Sequence, residues 1–254
     1  MKYVVKTIGI LMAAILLLGL LKSQLYAIQT FTQEDSEMSR VIYVVDSNLN
    51  KRLITHADTG GKKRLALTFD DGPDPLYTGA VLEILQKFDV QATFFVVGEN
   101  AAAHPELIQQ EIEAGHEIEN HTYTHADLSL ADTAGTEAEI QKTDQLLSVM
   151  LGRKSKYFRP PKKLFRPETV EIAERNGYQT VLWTICVENA RSPTPAAMAK
   201  RVIEAARPGM IILAHDGRLD RRQTLLALPI IIDAYQKQGY QFVTLDELLQ
   251  TIDA

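Results

Sequence analysis

From Lys62 onward, short apolar runs alternate with stretches whose apolar residues recur every three to four positions, the pattern of strands followed by helices. Strands are predicted at Leu65–Phe69, Ala92–Val97, Glu117–Asn120, Tyr157–Arg159, Thr180–Ile185, Met210–His215 and Gln241–Thr244. Between them, helices are predicted at Thr78–Phe88, Ala102–Ala114, Thr136–Leu151, Pro167–Asn176, Pro195–Ala206 and Arg222–Gln238. A last helix, Asp246–Ile252, opens on the capping-box pattern Thr244-Leu245-Asp246-Glu247. Gly115, Gly177 and Gly239 each follow a helix and precede a strand, the usual place of a helix-ending glycine. Seven such units imply an α/β fold of parallel strands. They fit either an open doubly wound sheet or a barrel one unit short of eight.

Upstream the pattern changes twice. Lys2 and Lys6 precede the apolar run Thr7–Leu21, which Lys22 closes. A basic flank and such a run predict a membrane-targeting segment over residues 1–27. With Tyr3-Val4-Val5 added, the run approaches spanning length and reads as an uncleaved signal anchor. The other reading is a signal cut after Ala27, against which Leu25 at the −3 position counts. Either way the rest of the chain is exported, as a single-pass membrane protein facing outward or as a secreted one. Residues 28–61 read as a polar connector. Its strand candidates, Val41–Val45 and Arg52–Thr55, are expected to form a small hairpin docked on the domain of residues 62–254.

Composition narrows the partners. Hydrophobic residues at 46% and charged ones at 23% describe an ordinary globular chain. A net charge of -5 argues against nucleic acid, whose backbone needs a basic face. The single cysteine, Cys186, rules out an intrachain disulfide and reads as core packing.

Polar residues interrupt the apolar pattern at one recurring place, just past a strand. Asp70 and Asp71 follow the first strand, His121 and His125 the third, Arg159 the fourth and His215 the sixth. In parallel α/β folds the carboxyl ends of the strands form the site face. Within a strand, one of two adjacent carboxylates would point into the core; at a turn both reach one cleft, with Gly72 supplying the backbone freedom. His121 and His125, four apart, share a face if their segment is a helical turn. With a carboxylate such as Asp71 they make a His₂Asp set with positions open to water and substrate. Nitrogen and oxygen donors without sulfur suit Zn²⁺, Co²⁺ or Mn²⁺.

Thr68–Pro73, His121-x-x-x-His125, Arg159-Pro160-Pro161 and Leu213-Ala214-His215 resemble, in order and spacing, the motifs of the NodB-like polysaccharide deacetylases, carbohydrate esterase family 4. The resemblance runs from about Lys62 to Asp253. It implies a distorted (β/α)7 barrel with mostly parallel strands. It also implies Asp70 as general base, Asp71, His121 and His125 as metal ligands, Arg159 as the partner of Asp70, and His215 as general acid. The backbone N–H of Lys162 and the residue Leu213 become oxyanion and substrate-binding candidates. The substrate implied is an acetylated polysaccharide, losing acetate from N-acetylhexosamine units; given export, peptidoglycan or a chitin-like oligomer is the expected polymer.

The chain departs from the family at two stretches. Lys162-Lys163 stand where Tyr-Gly is common, so Lys162 meets either an anionic group or solvent. The family's Asp-x-x-Asp-Trp corresponds to Cys186-Val187-Glu188-Asn189-Ala190, leaving Asn189 or its neighbour Glu188 to orient the acid histidine and removing an apolar wall. These departures keep two alternatives open: an O-acetyl esterase on a wall polymer, and a weakly active metal- and glycan-binding pseudoenzyme.

Overall fold

The computed structural model describes Ile28–Thr30, Ile42–Val44 and residues 47–250. The predicted anchor at residues 1–27 lies outside the described residues, and no described helix is long and apolar enough to cross a membrane. Strands β1 (Ile28–Thr30) and β2 (Ile42–Val44) pair antiparallel and, with the short helix α1 (Ser47–Asn50), belong to a compact unit of their own. The expected hairpin between Val41–Val45 and Arg52–Thr55 does not form. Leu53–Ile54 is instead strand β3 of the main sheet, parallel to residues Thr180 and Val181.

From Arg52 the chain folds as the second unit. It comprises β4 (Arg64–Asp70), α2 (Thr78–Lys87), β5 (Thr93–Val96), α3 (Gly98–Ala103), α4 (Pro105–Glu113), β6 (Glu117–Asn120) and α5 (Thr133–Leu151). There follow β7 (Tyr157–Phe158), α6 (Pro167–Arg175), β8 (Gln179–Val181), β9 (Ile185–Cys186), α7 (Pro195–Glu204) and β10 (Ile211–His215). The chain then forms α8 (Arg222–Lys237), β11 (Gln241–Phe242) and α9 (Leu245–Leu249). The sheet runs β3-β8-β7-β6-β5-β4-β10-β9 with every pairing parallel, and β11 adds beside the start of β4. This curled, helix-covered sheet is the distorted barrel that the family resemblance implies.

Three differences from the predicted elements have local causes. Thr180–Ile185 is two strands because the chain changes partners within it. The N–H of Leu182 donates to Ile54 O and that of Thr184 to Ile211 O, so residues 182–184 bridge the two ends of the sheet. Ala102–Ala114 is two helices because Pro105, at the first position of α4, has no N–H for the preceding turn. Helix α5 begins at Thr133, ahead of the predicted Thr136, because the Asp132 carboxylate caps it by accepting from the N–H of Gly135 at 2.7 Å.

Strand periodicity sorts the core into two layers. Leu65, Leu67 and Phe69 of β4, Phe94 and Val96 of β5, and Ile212 and Ala214 of β10 point outward and pack under the helices. Ala66, Phe95, Tyr157, Val181 and Ile211 point inward, where Leu245 and Leu248 of α9 close over them. The plug is held by polar contacts too: Thr93 Oγ1 accepts from the N–H of Leu245, and Glu117 Oε2 from that of Asp246. Following the inward positions up β4 gives Ala66, Thr68 and Asp70; up β10, Ile211, Leu213 and His215. The interior thus turns from apolar to titratable toward the carboxyl ends.

Candidate active site

Asp70 ends β4 beside His215, its register partner on β10. Its Oδ1 accepts from Arg159 Nη1 at 2.6 Å, with both side chains almost wholly buried. Arg159 extends its fork further: Nη1 also donates to Thr68 Oγ1, Nε to Val181 O and Nη2 to Leu182 O, while its guanidinium carbon lies 3.9 Å from the Phe95 ring centroid. Asp71 turns away from the strand through the left-handed region, at φ 77°. That corrects the role expected of Gly72. The backbone freedom is demanded at Asp71, whereas Gly72 is needed for lack of a side chain: a Cβ there would lie 2.3 Å from Asp216 Oδ2.

The two histidines are not on a helical turn. Thr122 and His125 have positive φ, and the loop is pinned from outside. Glu139 of α5 accepts from the N–H groups of Tyr123 and Thr124, and Asn120 Oδ1 from that of Thr122. The rings still converge, with centroids 5.2 Å apart. His121 Nδ1 lies 2.7 Å from Arg159 O; a carbonyl only accepts, so Nδ1 carries the proton and Nε2 offers a lone pair. His121 Nε2 is 3.6 Å from Asp71 Oδ1, and His125 Nε2 is 3.0 Å from the same oxygen.

Asp71, His121 and His125 pass the test for a cation site on their own geometry. One donor atom from each lies within 4.8 Å of the others, all three residues are buried, and Asp71 Oδ1 has no hydrogen-bond partner despite its approach to His125. An orphaned buried carboxylate oxygen beside imidazole lone pairs is costly unless something cationic meets them.

Across the mouth, Glu188 and not Asn189 meets His215. Glu188 Oε2 is 3.1 Å from His215 Nδ1, and Oε1 accepts from the His215 N–H and from Thr224 Oγ1. Asn189 Oδ1 accepts from the N–H of Arg191, within its own turn. Burial opposes charge on both partners. Even so, the Glu188 carboxylate raises the His215 imidazolium, and His215 with Arg221 holds Glu188 down at about 2. The His215 side chain remains 21% exposed, so the ring reaches the mouth.

Leu213 is buried one inward layer beneath His215 and makes an apolar floor. Lys162 and Lys163 take φ of 54° and 59°, the left-handed conformation that the family's glycine would hold more cheaply. The turn donates the N–H groups of Lys163 and Leu164 to Pro160 O and Pro161 O, and that of Lys162 is outside this ladder. Ala190 leaves no aromatic at its position. The half-buried Trp183 instead lies 5.9 Å from the Arg159 guanidinium and 5.4 Å from Lys163 Nζ.

Arg221 carries no mark in the local sequence pattern. It is buried, donates Nε to Gly217 O at 2.7 Å, and places Nη2 3.1 Å from Asp71 Oδ2. That contact occupies one Asp71 oxygen and leaves Oδ1 to the histidines. In the charged run Arg218-Leu219-Asp220-Arg221-Arg222, nothing marks which arginine turns inward. Glu139, which anchors the histidine loop, is likewise an ordinary helix carboxylate in the sequence.

Residues 57–181 match the family model described as polysaccharide deacetylase. The chain is also 37% identical over 199 residues to a peptidoglycan-N-acetylglucosamine deacetylase of Bacillus cereus, an alignment covering 78% of this chain and 93% of that protein. The chain belongs to the polysaccharide deacetylase family. Solved members superpose on it. The Bc1960 peptidoglycan N-acetylglucosamine deacetylase does so with a TM-score of 0.77 at 28% identity, covering 81% of this chain and 97% of that one. BA3943, a CE4 family pseudoenzyme from Bacillus anthracis, gives a TM-score of 0.70 at 30% identity, over 77% and 68% of the two chains. In this polysaccharide deacetylase, Glu188, His215 and Arg221 lie beyond the stretch matched by the family model, so their arrangement rests on the structure itself.

Proposed function

We propose that this deacetylase hydrolyses the N-acetyl groups of N-acetylhexosamine units in a cell-wall polysaccharide, with peptidoglycan as the leading substrate. One observation carries the reading: a base held by a buried arginine, a three-residue cation site and a histidine–glutamate acid pair share one mouth, as amide hydrolysis requires. Asp71, His121 and His125 would hold a divalent cation, of which Zn²⁺ fits the donor set. Such a cation polarises the amide carbonyl and acidifies a water. Asp70, held in place by Arg159, accepts the proton of the attacking water. The Lys162 N–H stands as the donor for the developing oxyanion. His215 returns a proton to the departing amine, and Glu188 fixes its tautomer and supports its charge. Two groups suited to act as base and acid support turnover over mere binding. The N-terminal segment over residues 1–27 would tether this activity to the outer face of the cell membrane.

Acetate release by the full-length protein tests this directly, using N-acetylglucosamine oligomers and purified peptidoglycan. Chelator-stripped protein should be inactive and Zn²⁺ should restore it. Zn²⁺ binding without acetate from either polymer would reject the reading.

The acid pair makes a separate prediction. The rate should fall as pH rises through the elevated pKa of His215, because the protonated ring is the active form. Glu188→Gln should move that falling limb to lower pH and cut kcat by about 10²-fold. Asn189→Asp should leave the limb in place. A limb that moves with Asn189 and not with Glu188 would transfer the orienting role.

A further inference from the structure

We propose that Cys186, Glu188 and His215 form a second cation site, selective for thiophilic divalent metals, whose occupancy switches the acid pair off. One donor atom from each residue lies within 4.8 Å of the others. Glu188 Oε2 sits between the other two, 3.3 Å from Cys186 Sγ and 3.1 Å from His215 Nδ1. Donor atoms around one tetrahedral Zn²⁺ are roughly 3–4 Å apart, given its usual bond lengths. The triad therefore needs little expansion to close on an ion.

The scaffold is rigid. Cys186 and His215 stand on β9 and β10, adjacent parallel strands in which Leu213 pairs with Cys186. Glu188 is fixed by Thr224 as well as by the His215 N–H. Arg201 anchors the Cys186 carbonyl from α7. The thiol is buried, but the His215 ring and Glu188 carboxylate open to the mouth, which gives an ion its way in.

Chemistry separates this site from that of Asp71. A thiolate–imidazole–carboxylate set prefers Zn²⁺, Cd²⁺ or Co²⁺ over Mg²⁺ or Mn²⁺, whereas the Asp71 set has no sulfur. Binding releases the thiol proton and the Nδ1 proton of His215 to solvent; the ring, then ligated at Nδ1 and keeping only its Nε2–H, is no longer held as the free imidazolium that Glu188 supports. The inhibitory consequence rests on the proposed acid role of His215; the binding itself does not.

Full-length protein, stripped of metal, is titrated with Co²⁺ while the near-ultraviolet spectrum and acetate release are followed. A thiolate-to-cobalt charge-transfer band is expected in the parent and lost in Cys186→Ser. Excess Cd²⁺ should inhibit the parent at a concentration roughly tenfold or more below that needed for Cys186→Ser, and Mg²⁺ should not inhibit. Absence of the band at any Co²⁺ loading, or equal Cd²⁺ inhibition of parent and variant, overturns the proposal. If no acetate is released under any condition, the band still decides the site, and only the deacetylase reading falls.

Discussion

Asp70→Asn should lower kcat by about 10²–10⁴-fold while Zn²⁺ binding persists. The amide keeps the shape of the carboxylate and an oxygen for Arg159 Nη1, but it cannot accept a proton. Asp70 stands outside the cation set: its Oδ1 belongs to Arg159, and the clustered donors are those of Asp71, His121 and His125. Calorimetric titration with Zn²⁺ should therefore give near-parental affinity, whereas His125→Ala should lose most of it. Comparable losses of turnover with intact metal binding would establish Asp70 as base. An unchanged kcat would assign the base elsewhere.

Arg159→Leu should destabilise the fold by about 3–5 kcal/mol in urea titrations, with near-complete loss of activity. The cost comes from what is left behind. Asp70 would remain as a buried, uncompensated charge, and Thr68 Oγ1, Val181 O and Leu182 O would lose their donor. An exposed ion pair would cost about 1 kcal/mol or less, so the magnitude distinguishes a buried clamp from surface charge. Arg159→Lys would keep the charge but not the fork, and should recover only part of the loss. Adding Asp70→Asn to Arg159→Leu should restore some stability, since the orphaned charge is removed with its partner. Strict additivity of the two changes would contradict the pairing.

The periodic parts of the molecule were legible before any coordinates. Leu65, Leu67 and Phe69 alternate with Ala66, Thr68 and Asp70, and that period alone separates the outer layer from the barrel interior. The grouping of Asp71, His121 and His125 as a candidate cation set was legible too. The local geometry was not. Spacing of four suggested a helical face for the histidines, yet a loop with two left-handed residues, pinned by Glu139, brings the rings together just as closely. The choice between Glu188 and Asn189 was equally open, because adjacent loop residues carry no period. Arg221 escaped for a related reason: burial of a charge depends on a partner 150 positions away. Long-range pairing of this kind leaves no local trace. The break at residues 182–184 belongs with it, since Ile54 and Ile211, the partners exchanged there, come from opposite ends of the sheet.

The α9 plug has a consequence for traffic. Leu245 and Leu248 pack against the inward residues at the end of the barrel opposite Asp70 and His215, and Glu117 and Thr93 tie the plug down. Above it lie further buried layers, with Leu213 one inward position before His215. Among the described residues this floor offers acetate no exit, so acetate would leave on the side where Asp70 and His215 stand. A polymer bound on that side would share the route with acetate, which makes the order of departure part of the proposed cycle.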